Sequence, residues 1–341
     1  MKIRDIEKVF IIAELSANHN QDFDVAMKTI KAAKEAGADA IKLQTYTPDT
    51  ITIDSDSEYF QIKHGSIWDG TTLYKLYQQA YTPWEWQPKL KKFAEEIGLI
   101  CFSSPFDKTA VDFLEAMNVP AYKVASFEIT DIPLIEYIAS KKKPVIISTG
   151  IATLSDIEEA VNVCRRVGNN DIALLKCTSS YPAPIEEANL LTIPNLRERF
   201  NVIVGLSDHT LGSDVAIASV ALGAKIIEKH FILDRNIGGP DSSFSMEPDE
   251  FKQMVISIRN VEKALGKINY ELTPKAEKNR IHCRSLFVVE DVKEGEIITE
   301  INVRSIRPGN GLPPKYFYQI IGKKFKDSFK KGSPLTWEMI E

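Results

Sequence analysis

The sequence predicts an α/β fold: a (β/α)8 TIM barrel followed by a small β-rich module. Three observations carry this. Eight short apolar, β-branched runs recur through the first 265 or so residues, and they are continuous rather than alternating, as strands buried on both faces of a parallel sheet are. Helical patterns separate most of them. After residue 266 the rhythm breaks, and the last 57 residues are punctuated by Gly and Pro.

The runs are VFIIAEL (9–15), AIKLQTY (40–46), LICFSSP (99–105), AYKVASFE (121–128), PVIISTG (144–150), IALLKCTS (172–179), VIVGLSD (202–208) and KIIEKHF (225–231). Between them, DVAMKTIKAAKEAG (24–37) reads as a helix stopped by Gly37. TLSDIEEAVNVCRRVG (153–168) offers Thr153 or Ser155 as its N-cap and ends at Gly168. PDEFKQMVISIRNVEKALG (248–266) sets Phe251, Met254, Val255, Ile258, Val261 and Leu265 on one face. Eight βα units in this length match the barrel. A doubly wound open sheet competes, but the G-x-G-x-x-G turn it often carries is absent after the first run. The expected division is a catalytic barrel over 1–270, a linker over 271–284 and the module over 285–341, with KEG and KKG turns and the loop RPGNGLPP. So small a module would gain stability by docking on something else.

Composition excludes several partners. Hydrophobic residues make up 44% and charged residues 26%, with a net charge of -5, so no basic field invites nucleic acid or an anionic membrane surface. No apolar stretch approaches the ~20 residues of a membrane span, and the opening residues do not read as a signal peptide. Cys101, Cys164, Cys177 and Cys283 are too scattered for a zinc or redox motif. A cytoplasmic protein is expected.

In such barrels the reacting groups gather at the C-terminal ends of the strands. There the sequence carries Glu14, Ser16, Asn18, His19, Lys42, Gln44, Ser103, Ser104, Lys123, Ser126, Glu128, Ser148, Thr149, Thr178, Ser179, Ser180, Tyr181, Ser207, Asp208, His209, Glu228, Lys229 and His230. An ammonium buried without an anion is expensive, so two lysines on separate strands with several hydroxyls suggest a cradle for a dianion. The two histidines close neighbouring runs. Hydrogen-bonded core imidazoles would account for them; so would a divalent metal with open positions, Mn²⁺ rather than a closed zinc site.

The ordered string AELSANHN, KLQTYTP, FSSPF, YKVASFE, STGIA, KCTSSYP, GLSDHT, EKHF and GPDSSFS resembles the sialic acid synthase family. RSIRPGNGL resembles the antifreeze-protein-like (SAF) domain of those enzymes. Within the family, IWDGTTLYKLYQQAYTPWEW, Lys176 and Ser242 look like the pseudaminic acid branch, where the N-acetylneuraminate branch commonly has His at the last two positions. The resemblance implies condensation of phosphoenolpyruvate with an open-chain amino sugar. It implies a divalent ion on His209 and His230, Mn²⁺ with Mg²⁺ or Co²⁺ as alternatives, and phosphoenolpyruvate on Lys42, Ser104, Lys123, Ser126, Ser148, Ser179 and Ser207. Sugar contacts would come from Gln44, Glu128, Tyr181 and Asp241, with Glu14 beside the reacting carbons. A homodimer with exchanged C-terminal domains would bring Arg307 from the partner subunit. Blander expectations stand beside these: His19 tethers a loop, Trp68, Trp84 and Trp86 pack helices, Lys141–Lys143 is a solvated helix end, and Cys177 is an inert thiol with no base near it.

Overall fold

The structure is a computed structural model that describes residues 2–63 and 65–341. Its eight strands are β1 Phe10–Glu14, β2 Ala40–Thr45, β3 Ile100–Pro105, β4 Tyr122–Val124, β5 Val145–Ser148, β6 Ile172–Cys177, β7 Ile203–Asp208 and β8 Ile226–His230. All pairs are parallel, and the sheet closes with β1 hydrogen-bonded to both β2 and β8. The fourth run is shorter than expected. β4 stops at Val124, and Ser126–Glu128 coil into a 3-10 turn that buries Ser126 and leaves the Phe127 side chain exposed.

The intervening helices start and stop on local chemistry. Helix Phe23–Glu35 is capped by Asp22, whose carboxylate accepts from the amides of Asp24 and Val25, and is followed by Gly37 at φ +95°. In Leu154–Arg166 the cap is Thr153, not Ser155, with Asp156 closing a capping box. Helix Pro248–Leu265 buries Phe251, Met254, Val255 and Ile258 and half-buries Val261. Leu265 departs from the expected stripe: it is 51% exposed, in the last turn before Gly266 ends the helix.

Alternation along the strands builds two cores. Ile11, Ala13, Ile41, Leu43, Val145, Ile147 and Leu174 face outward against the helices. Ile12, Ala40, Phe102, Ala121, Ile146, Ala173, Leu175 and Ile226 fill the barrel from within, joined by Ile3 of the turn Ile3–Asp5. The Ile3 amide donates to Asp171 Oδ1 at 3.1 Å, fixing this plug beside the starts of the strands. Gly205 lets β7 and β8 approach, since a Cβ there would lie 2.2 Å from the Ile226 carbonyl oxygen.

A second unit spans Lys267–Glu341. It opens with helix Pro274–Asn279, and its core is Leu286, Val288, Val292, Ile298, Val303, Ile320, Phe325 and Leu335. β9 (Ser285–Val288) and β10 (Val303–Ile306) pair antiparallel, and the remaining pairing consists of isolated bridges. The KEG and KKG turns place Gly295 and Gly332 at φ +75° and +92°. Among the described residues no helix is long and apolar enough to cross a membrane.

Candidate active site

The apolar filling gives way to polar side chains toward the C-terminal ends of the strands, and these are nearly all buried. Lys42 from β2 meets Glu14 of β1 at 2.7 Å and Glu228 of β8 at 3.7 Å, and its Nζ donates to Ser104 of β3 at 3.4 Å. Ser207 of β7 donates to Glu228 Oε1 at 3.1 Å. Lys123 of β4 donates to Ser148 of β5 at 2.7 Å and to the Val124 carbonyl at 2.8 Å. Ser179 donates to Ser126 at 2.9 Å, and the Ile151 amide donates to the same Ser126 hydroxyl. Gly150 leaves room for this meeting: a Cβ there would lie 2.2 Å from Ser179 Oγ and 2.7 Å from Ser126 Oγ. All seven residues expected to hold an anion thus lie at this end of the barrel, in three hydrogen-bonded groups, six of them buried and Ser179 half-buried.

Two carboxylates share the Lys42 ammonium, and their environments separate them. Burial pushes Glu14 up to about 7 against the pull of Lys42, and the charge of Glu228 pushes the same way. Burial also opposes ionisation of Glu228, yet Lys42 and Lys123 outweigh it and hold its pKa below the usual value. Glu14 is therefore the member that exchanges a proton near neutral pH, while Glu228 stays ionised. Gln44 Nε2 steers Glu14 by donating to its Oε1 and to Ser16 Oγ, both at 2.9 Å, and Ser16 donates to Asp241 at 2.5 Å. Glu128 is pushed up to about 7 by burial, with Lys123 pulling the other way.

His209 and His230 lie with ring centroids 5.4 Å apart. His209 Nδ1 is 2.9 Å from the Thr178 carbonyl, which makes Nδ1 the protonated nitrogen and leaves Nε2 with a lone pair. His230 Nδ1 is buried without a hydrogen-bond partner; the nearest carboxylate, Asp241, is 3.8 Å away. Burial, then His209 and Lys42, keep His230 neutral. Among the described residues no three metal-ligating side chains converge. Two free imidazole nitrogens nevertheless suit an open site whose other positions fall to water and substrate oxygens.

Tyr181 stacks on His209 at 4.4 Å and on Phe244 at 5.2 Å, and Phe244 lies 4.9 Å from His230. Arg307 is exposed in the second unit. His19 accepts from the Gln21 amide and bonds Thr82 at 3.0 Å, a loop tether with its pKa lowered to about 4 by burial. Lys141 and Lys143 at the helix end pair with Asp112 and Glu115.

Two expectations need correction. Cys177 has an imidazole beside it: its Sγ is 3.8 Å from His209 Nδ1, because parallel neighbours β6 and β7 bring residues 32 positions apart together. Burial would raise this thiol, but His209 outweighs it and the pKa is lowered. Trp68, expected to pack helices with Trp84 and Trp86, lies in a turn against Tyr181. Trp84 contacts Phe113 and Trp86 contacts His19 and Phe23, whereas Trp68 lies 5.5 Å from Tyr181. Glu228, whose two-residue spacing from His230 puts both on one strand face, pairs in the structure with Lys42 and Ser207.

A closed parallel barrel with two lysines, several hydroxyls and a split pair of carboxylates at its C-terminal end defines a (β/α)8 enzyme with a charged, largely buried site. More narrowly, the chain belongs to the NeuB family, whose model matches residues 29–270, and carries a SAF domain over residues 284–341. The resemblance drawn from the ordered strand-end motifs is thereby borne out. The chain is 50% identical over 329 residues to a pseudaminic acid synthase of Campylobacter jejuni, covering 96% of each chain. It is 49% identical to that of Helicobacter pylori, covering 97% of each. The crystal structure of an N-acetylneuraminic acid synthetase from Leptospira borgpetersenii superposes with a TM-score of 0.72 at 32% identity, over 80% of this chain and 90% of that one.

Proposed function

We propose that this chain condenses phosphoenolpyruvate with 2,4-diacetamido-2,4,6-trideoxy-β-L-altropyranose, taken as the open-chain aldehyde, to give pseudaminic acid and phosphate. Half the residues are shared with pseudaminic acid synthases over nearly the whole chain. The observation that carries the chemistry is the inward set Lys42, Lys123 and five serines, which matches the roughly three negative charges of phosphoenolpyruvate. C3 of phosphoenolpyruvate bonds to the aldehyde carbon, whose oxygen takes up a proton. Water then adds at C2 and loses a proton, and phosphate leaves with the bridging oxygen. Glu14, raised to about 7 by burial, would accept or return that proton. Gln44, Glu128, Tyr181 and Asp241 would contact the sugar.

His209 and His230 would hold a divalent ion, Mn²⁺ in this reading, which when bound supplies Lewis-acid polarisation of the aldehyde oxygen. Arg307 would meet the acyl-amino group in the partner's barrel of a C2 homodimer that exchanges its second units. Four free cysteines fit the reducing cytoplasm.

The test is a panel of amino sugars with phosphoenolpyruvate, reading phosphate release and product mass. Turnover is expected with the trideoxy sugar and little with N-acetylmannosamine. Chelation should abolish it, and Mn²⁺ should restore the wild type but not His230→Ala. A clear preference for N-acetylmannosamine, or full activity without metal, overturns the respective part.

A further inference from the structure

Trp68 lies in the segment between β2 and β3, far in sequence from the groups described above, yet its ring continues the aromatic series that begins at the histidines. His209 contacts Tyr181, Tyr181 contacts Trp68 and Phe244, and Phe244 contacts His230. The only polar atom of the indole is already engaged, since Nε1 donates to the Pro240 carbonyl at 2.8 Å. Trp68 therefore offers ring carbon alone to its surroundings, as does the buried Phe244. Trp68 also borders a cavity of about 640 Å³ lined in part by Asn20, Gln21, Gln79 and Gly239.

We infer that Trp68, backed by Phe244 and Tyr181, is a specificity-determining residue whose apolar face receives the deoxygenated C6 end of the sugar. The inference rests on the proposed function and adds a reason for its substrate choice. With the aldehyde carbon at the histidines, an extended six-carbon chain runs roughly 6 Å from C1 to C6 at ~1.5 Å per bond. That brings C6 to the far side of Tyr181, where Trp68 stands. A methyl group there loses no hydrogen bond, whereas a hydroxymethyl group must surrender one to water without replacement. Truncating the indole would open the site toward the amide-lined cavity and remove this penalty.

The experiment compares kcat/KM for the trideoxy sugar and for its 6-hydroxy counterpart, 2,4-diacetamido-2,4-dideoxy altrose, in the wild type, Trp68→Ala, Trp68→Gln and Trp68→Phe. Calorimetry of phosphoenolpyruvate binding and a thermal melt report whether each variant is folded. The wild type should favour the 6-deoxy sugar by about 10- to 100-fold. Trp68→Ala and Trp68→Gln should reduce that ratio about tenfold or more, and Trp68→Phe should keep it within about threefold. Because Phe lacks the indole N–H, its behaviour separates the apolar wall from the tether to Pro240. A wild-type ratio near one, an unchanged ratio in Trp68→Ala and Trp68→Gln, or a Trp68→Phe ratio that collapses like that of Trp68→Ala overturns the inference. If the wild type turns over neither sugar, the functional reading itself has failed, and this inference falls with it.

Discussion

Two buried ion pairs stand back to back in the wall of the barrel, and they are built to opposite ends. Outside, Lys229 meets Asp208 at 2.7 Å with both side chains 1% exposed. Lys229 also donates to the Thr210 carbonyl at 2.6 Å, and the Thr210 amide and hydroxyl donate to the other oxygen of Asp208. Inside, Lys42 meets Glu14 at the same 2.7 Å, but Glu228 crowds the same ammonium and keeps Oε2 without a partner. The outer network is closed, because every group has what it needs within the protein. The inner one is open, holding more charge than its own partners satisfy. Burial and distance alone do not separate a structural ion pair from a working one; unmet capacity does.

The contrast can be tested, beginning with the largest effect. Lys123→Ala removes one of two inner cations and should lower kcat/KM by at least about a thousandfold through lost phosphoenolpyruvate binding, in line with removal of a preorganised electrostatic partner. Its melting temperature should stay within a few degrees of the wild type, and a collapse of the fold would make the inner set structural after all. Lys229→Met should do the reverse. It strands Asp208 as a buried charge and should cost about 3–5 kcal/mol in denaturant unfolding, with activity per folded molecule retained within about tenfold. Loss of activity at unchanged stability would erase the distinction.

Mixing Arg307→Ala with Lys123→Ala under subunit exchange extends the comparison to the assembly. If Arg307 serves the partner's barrel, half of the dimers are mixed and one site in each is intact, restoring about a quarter of wild-type turnover. No recovery would mean that Arg307 serves its own barrel or none.

The smallest expected effect concerns pH. Glu128 is raised from its ordinary value of 4.5 to about 7 in the folded protein. Between those values the native state binds more protons than the unfolded chain, so stability falls as pH rises through that window and levels off above it. Glu128→Gln should remove this slope, gaining on the order of 1–3 kcal/mol relative to the wild type between pH 4.5 and 7 in denaturant titrations. Parallel curves would show that the carboxylate is solvated.

What was legible in the sequence follows the same division between regular and irregular backbone. The strands were readable because Ile, Val and Leu run unbroken where both faces are covered, and β4 was overextended where ASFE mixes one apolar ring into polar residues. Period-two alternation carried the inward side chains, Lys42 with Gln44 and Glu228 with His230. The sharing of Lys42 by Glu14 and Glu228 was not readable, because it depends on closure of β1 against β8 across more than two hundred residues. Cys177 beside His209 likewise needs the register of β6 on β7. Trp68 was missed for another reason: a loop has no period from which its direction can be taken.

The plug formed by Ile3 and the inner apolar layer has a consequence for traffic. With hydrocarbon packed at the end where the strands begin, the described part of the barrel works as a cup rather than a tube, and what reaches the lysines must arrive over the rim. If two reactants bind one above the other there, the deeper would have to come in first and leave last, an order set by the floor of the molecule rather than by any group that makes or breaks a bond.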